Sequence, residues 1–145
     1  MNVQNKKAFF DYEVIVPYEA GIELTGAEVK SVRDGGANFA GARVLLTPEG
    51  ANLIGLNIQK YKFSSQDDYE PARTRRLLLH KKEIVAIQTK MRSAGLTLVP
   101  LKLYNKGSLI KVQIALVRGK KKFEKRELIK KRVSNLALAR RLKNQ

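Results

Sequence analysis

Apolar and polar positions alternate along most of the chain. In FDYEVIV, Phe10, Tyr12, Val14 and Val16 fall on one side, with Asp11, Glu13 and Ile15 on the other. That is the period of a strand, which Pro17 is expected to end. ARVLLT (42–47) and ANLIGLNI (51–58) flank Pro48-Glu49-Gly50 and predict a hairpin. A second hairpin is predicted by LTLVPLKLY (96–104) and SLIKVQIALV (108–117) around Asn105-Lys106-Gly107, with Ile110, Val112, Ile114 and Leu116 sharing a face. Pro100 offers no ladder donor, so its strand is expected to be an edge or a bulge there. The pattern predicts a mainly β chain with short helices, closed into a small barrel of OB-like size.

Two stretches break the alternation. TGAEVKSVRDGG pairs Thr25 with Glu28 in a capping box and ends on Gly35-Gly36. HKKEIVAIQTKMRSAG puts Ile84, Ile87 and Met91 at helical spacing before a stop at Gly95. Between the strands, FSSQDDYEPARTRR (63–76) is a polar loop that turns from acidic to basic. After Arg118-Gly119 alternation stops. Leu128, Ile129, Val133, Leu136, Ala139 and Leu142 share a helical side on which Arg132 and Arg140 intrude. The expected organisation is a β-barrel domain over residues 1–117 and a basic tail over 118–145. The tail is expected to be disordered when free and helical against an anionic surface.

Charge sharpens this division. The 145 residues carry a net charge of +16, and residues 118–145 hold 12 basic and 2 acidic side chains. Such a field draws a polyanion with salt-dependent affinity. There is no cysteine, hence no disulfide, thiolate metal site or thiol nucleophile. MNVQNKKAFF has no secretory h-region, and no apolar run approaches the ~20 residues of a membrane span. A soluble, cytoplasmic protein is expected, with no membrane partner.

Catalytic patterns are weak. His80 is the one histidine and reads as a cap or packing residue. Asp67, Asp68 and Glu70 lack calcium-loop spacing and read as a solvated loop. The glycines of DGGANFAGAR read as a helix stop, since no Gly-Lys-Ser/Thr follows. No enzyme activity, cofactor or metal is expected. Binding patterns are stronger: Asn5-Lys6-Lys7 beside Phe9, Arg73-Thr74-Arg75-Arg76, Lys60-Tyr61-Lys62 and the tail all join cations to aromatic or exposed groups. Lys60 and Lys62 alone read as a solvated face. The clusters together point to RNA.

The motifs NKKA (5–8), YEAGIEL (18–24), TGAEVKSVRDGGAN (25–38), ARTRRLLLHKKEI (72–84), GLTLVPLKLY (95–104) and RGKKKFEKRELIKKR (118–132) occur in an order that closely resembles the small protein B family. These are the tmRNA-binding proteins of bacterial trans-translation. The resemblance implies a six-stranded antiparallel closed barrel of OB-like topology and a monomeric adaptor. It further implies binding to the tRNA-like domain of tmRNA, support of its alanylation, and delivery with elongation factor Tu to stalled ribosomes. The tail would probe the empty mRNA channel and decoding centre of the small subunit, and large-subunit contacts would be available.

By the same resemblance, Glu19, Leu78 and Lys111 match positions linked to tmRNA binding, and Asn5 matches the N-terminal motif. Lys111 suits a phosphate; Glu19 suits a base edge, a 2′-hydroxyl or a basic neighbour; Leu78 is expected to pack beneath the surface. Lys6, Lys7, Arg73, Arg75 and Arg76 are expected on the RNA backbone, whereas Glu28 is accounted for by its cap. In the tail, Gly119 matches a hinge and Lys120, Lys121 and Lys122 a basic run. Phe123 stands where many members carry His or Tyr, keeping stacking but no donor. Glu124, Lys125 and Arg126 stand for the family's Asp-Lys-Arg, and Lys130, Lys131 and Arg132 continue into the channel-binding helix.

Overall fold

The computed structural model describes residues 2–65 and 67–120. The expectations for Lys121, Lys122, Phe123, Glu124, Lys125, Arg126, Lys130, Lys131 and Arg132 lie outside the described residues. In chain order the elements are β1 (Asn2–Gln4), α1 (Lys6–Asp11), β2 (Tyr12–Ile22), α2 (Gly26–Arg33), β3 (Ala37–Asn38), β4 (Arg43–Thr47), β5 (Gly50–Ile54), β6 (Asn57–Ile58), β7 (Arg75–Leu78), α3 (Lys81–Ala94), β8 (Thr97–Lys106) and β9 (Leu109–Gly119). Seven strands form one sheet in the order β1-β8-β9-β2-β7-β5-β4, and β3 pairs with β6 apart from it. Every pairing is antiparallel.

The main sheet therefore has seven strands, not six. Its order ends at β1 and β4 without a ladder joining them among the described residues. The sheet curls far enough to bring β4 alongside β8. The seventh strand is β1, three residues too short and too polar to stand out from its sequence.

Ile110, Val112, Ile114 and Leu116 of β9 do share a face and are buried in the main core with Leu53, Leu56, Ile58, Leu103 and Ile87. The opposite face of β9 is also covered: Ala115 and Val117 pack with Leu101 and with Ala8 of α1. Burial on both faces explains why alternation weakens toward Val117. A register shift at Pro100/Lys102 sends Leu101 and Leu103 into different cores. Pro100 is tolerated because β1 pairs only with Lys102–Tyr104, leaving that side of the proline without a ladder.

Pro17 does not end its strand. β2 runs to Ile22, Pro17 stands opposite Ala115, and β7 covers only Gly21 and Ile22 on the other side, so no donor is demanded there. A bulge between Val14 and Val16 also separates two residues that strict alternation puts together, while Phe10 belongs to α1.

The helix termini follow the sequence. Thr25 Oγ1 accepts from the Glu28 N–H at 3.2 Å and Glu28 Oε1 accepts from the Thr25 N–H at 3.0 Å. α3 begins with the His80 N–H donating to Glu83 Oε1 at 3.2 Å and ends on Gly95 at φ 63°. Among the described residues no helix is long and apolar enough to cross a membrane.

Candidate nucleic-acid interface

Cross-strand registers place one row of residues on a single face. Tyr104 of β8 stands opposite Lys111 of β9, Lys111 opposite Gly21 of β2, and Gly21 opposite Leu78 of β7. Directly opposed residues share a face, and so does Glu19, two positions from Gly21. Glu19, Gly21, Leu78, Leu79, His80, Glu83 and Lys111 line a cleft of 390 Å³. Gly21 is fitted to this place: an added Cβ would come within 3.1 Å of the Leu78 Cβ. Leu78 is 50% exposed, so it forms an apolar wall of the cleft instead of packing beneath the surface. Its β7 register explains this, since Arg75 and Leu77 take the inward positions and Arg76 and Leu78 the outward ones.

Glu19 is held in place at the rim. It accepts from the Tyr104 hydroxyl and from Lys106 Nζ, the latter at 2.9 Å. The Tyr104 hydrogen bond and then the Lys106 ammonium keep the Glu19 carboxyl below the usual carboxylate range. Desolvation and then the Glu19 carboxylate push the Tyr104 hydroxyl up to about 12, so it stays a donor at neutral pH. Lys102 Nζ lies 5.2 Å from the Tyr104 ring centroid. Tyr104, Lys102 and Lys106 escape notice in the sequence because nothing there says they stand beside Glu19, some 85 residues earlier. The YEAG stretch alone hints at the site through Gly21.

The arginines divide. Arg75 is fully buried. Its Nε and Nη2 donate to Glu28 Oε2 at 2.9 and 2.6 Å, and its remaining bonds go to the carbonyls of Leu56 (2.6 Å), Pro71 (2.9 Å) and Arg73 (3.1 Å) and the Tyr69 hydroxyl (3.3 Å). An RNA-backbone contact for Arg75 is thus replaced by an internal one. Arg73 turns the same way, donating from Nε to Glu28 Oε2 at 3.2 Å and pairing its Nη2 with Oε1, and keeps partial exposure. Glu28 does more than cap α2. Burial alone would raise its carboxyl, but Arg73, the Thr25 N–H and Arg75 outweigh this and hold it down to about 2. Arg76 alone of the three faces outward freely, beside a groove with Thr47, Glu49 and Asn52.

At the N-terminus, Asn5 caps α1, accepting from the Ala8 N–H at 3.3 Å and donating to the Pro100 carbonyl at 2.9 Å. Both ends of its amide are used inside the protein, so Asn5 sets α1, while Lys6 and Lys7 are exposed on it. Lys120 is joined to the same helix, its N–H donating to the Asp11 carbonyl at 2.9 Å and its Nζ to the Phe9 carbonyl at 2.8 Å. Gly119 is still a strand residue, opposite Tyr12, so β9 runs two residues beyond the boundary expected at 117. The structure thus brings Glu19, Leu78 and Lys111 together and sets Asn5, Lys6, Lys7 and Lys120 apart from them on and around α1. Among the described residues no group of three or more His, Asp or Glu side chains is placed to hold a metal ion.

The model of the SmpB protein family matches residues 2–144. The chain belongs to the SmpB family. Among SmpB relatives, the SsrA-binding protein of Thermosipho melanesiensis is 49% identical over 140 residues, covering 96% of this chain and 95% of its own length. That of Mesoplasma florum is 51% identical over 129 residues, covering 88% and 87%. A solved structure described as "tmRNA-SmpB: a journey to the center of the bacterial ribosome" superposes with a TM-score of 0.68 at 43% identity, covering 83% of this chain and 85% of that one. The SmpB fold is accordingly that of a mainly β, antiparallel protein with a few short helices.

Proposed function

We propose that this chain is a non-catalytic adaptor of trans-translation that binds the tRNA-like domain of tmRNA and carries it to stalled ribosomes. Family membership supports the RNA, and one observation supports the place: Glu19, Leu78 and Lys111, from three strands, line a single cleft. Lys111 meets a phosphate, Leu78 offers an apolar wall to a base or sugar, and the Glu19 carboxylate, fixed by Tyr104 and Lys106, accepts from a base edge or a 2′-hydroxyl. Arg76 on β7, and Lys6 and Lys7 on α1 away from the cleft, add attraction for the RNA backbone. The curled antiparallel sheet presents this face.

The same reading gives the C-terminal residues their part. From the strand end at Gly119 and the anchored Lys120, the basic stretch 121–132 enters the mRNA channel and decoding centre of the small subunit and becomes helical there. Phe123 stacks, and the cations from Lys121 to Arg132 meet ribosomal RNA phosphates. The protein supports alanylation of tmRNA, travels as a monomer with elongation factor Tu in the cytoplasm, and meets the large subunit once seated.

The test is competition binding of the full-length protein to tmRNA against excess unrelated tRNA across a salt series. Selective binding that persists at physiological salt is expected. Equal binding to both RNAs, vanishing together as salt rises, would reduce the interaction to bulk charge.

A further inference from the structure

The segment after β6 carries a second cluster, which shares no lining residue with the Glu19–Lys111 cleft. Phe63 is 74% exposed, the highest exposure among the large apolar side chains of the described residues. Its ring meets the Tyr61 ring edge-on, with centroids 5.5 Å apart and planes at 73°. Lys62 Nζ lies 5.0 Å from the Phe63 centroid, and Lys30 Nζ, from α2, lies 5.7 Å from that of Tyr61. Lys60 stands alongside, 3.9 Å from Asp67, and Asp34 lies at the edge of the same shallow groove. Three lysines around two rings leave the cluster basic despite these carboxylates.

The cluster stands on a fixed base. The Gln59 N–H donates to the Gly36 carbonyl at 2.9 Å, and Ser31 Oγ donates to the Gln59 carbonyl at 2.6 Å. Gly36 is required there, since an added Cβ would collide with Ser31. At the far end of the loop the Tyr69 hydroxyl donates to the Ile58 carbonyl at 2.8 Å, and Pro71 accepts from the Ile58 N–H at 3.0 Å. Tyr69 and Pro71 are in turn bonded to Arg75. The buried Glu28–Arg75 pair therefore anchors the frame from which Tyr61 and Phe63 project.

We propose that Tyr61 and Phe63, with Lys30, Lys60 and Lys62, form a second RNA contact that takes an unpaired base on the rings and its flanking phosphates on the lysines. An exposed Phe63 against a half-buried Tyr61 in a polar loop gains little from solvent, whereas every base has a face that stacks on such a ring. The ammonium groups lying over the rings supply charge to the phosphates beside a stacked base. A cluster of lysines in a protein of net charge +16 selects a polyanion. The inference rests on the RNA-binding reading above, and two RNAs could supply the base: tmRNA or ribosomal RNA.

The chain contains no tryptophan, so Phe63→Trp installs a single tryptophan that can be excited at wavelengths too long for the tyrosines. The full-length Phe63→Trp protein is titrated with tmRNA and, separately, with small ribosomal subunits, while binding is followed independently by gel shift or co-sedimentation. Quenching on saturation by one of the two is expected and identifies the source of the base. The Tyr61→Ala/Phe63→Ala double variant is expected to weaken that same complex about tenfold with little change in its salt slope. Lys60→Gln/Lys62→Gln should instead lower the salt slope by about one to two. Unchanged emission at saturation with both partners, together with unchanged affinity of the double alanine variant, overturns the proposal. Failure of the unmutated protein to prefer tmRNA over tRNA is a separate result, which removes the tmRNA assignment while the quenching still reads the aromatic contact.

Discussion

Glu28 and Glu19 are both carboxylates held by cations, yet Glu28 is 1% exposed and the Glu19 side chain 37%. Glu28 collects a backbone N–H from its own helix cap and two arginines from a segment more than 40 residues away, and none of these partners has much left to offer a ligand. Glu19 takes a tyrosine and a lysine at the surface and keeps solvent-facing acceptor capacity. The difference shows how one kind of ion pair serves two ends. Inside, desolvation makes the pair a fastening whose rupture strands a charge. Outside, water screens it, so it contributes orientation and little stability.

Breaking the buried member should have the largest effect. Glu28→Gln leaves Arg75 without its counter-charge and is expected to lower stability by about 3–5 kcal/mol. Chemical denaturation measures this, and a loss below about 1 kcal/mol would put Glu28 in the same class as an exposed pair. Acid probes the same centre. The Glu28 carboxyl sits near 2 in the fold against 4.5 for the free side chain, so its stabilisation is complete above pH 4.5 and drains away as pH falls toward 2. Urea midpoints across that window should fall with acidification in the unmutated protein and fall less in Glu28→Gln.

The surface member should answer to RNA and not to denaturant. Lys111→Ala is expected to weaken binding to the tRNA-like domain and reduce the salt slope by about one, with thermal stability nearly unchanged. An unaltered slope would take Lys111 out of the interface. Smallest of all, Glu19→Gln should leave stability nearly unchanged while bringing the Tyr104 hydroxyl down from about 12 toward its ordinary value of 10. Ultraviolet titration of the tyrosines reads that shift, and a Tyr104 transition that stays put would assign its elevation wholly to burial.

The helix caps and the hairpin turns were legible because each depends on residues within a few positions of one another: Thr25 with Glu28, Gly95 after Met91, Gly107 between β8 and β9. The single strand expected over 51–58 instead breaks at Gly55, φ 79°, into β5 and a β6 that pairs with β3. The course of β2 through Pro17 was not legible, since it depends on where β7 and β9 stop pairing, a property of the whole sheet. Glu19 and Lys111 were singled out through family resemblance and share a cleft in the fold, but Leu78 was read as packed because an apolar residue among charges usually is. Arg75 was placed on the surface for the opposite reason. The alternation of β7 carries the signal that Arg75 shares a side with Leu77, yet an inward arginine makes sense only once its partner, 47 residues earlier, is known. Lys60 and Lys62 are exposed, as a solvated face requires, but the edge-on meeting of Tyr61 and Phe63 beside them was not legible because ring geometry belongs to the fold.

β9 lies between β2 and β8 with long ladders on both sides, and Lys120 is tied back to α1. Traction on whatever follows Lys120, along the strand axis, would load both ladders in shear, so that many hydrogen bonds share the force instead of unzipping one at a time. A strand at the edge of the sheet would peel under the same pull. The described residues thus end on a strand flanked on both sides, placed to resist a pull applied at its C-terminal end.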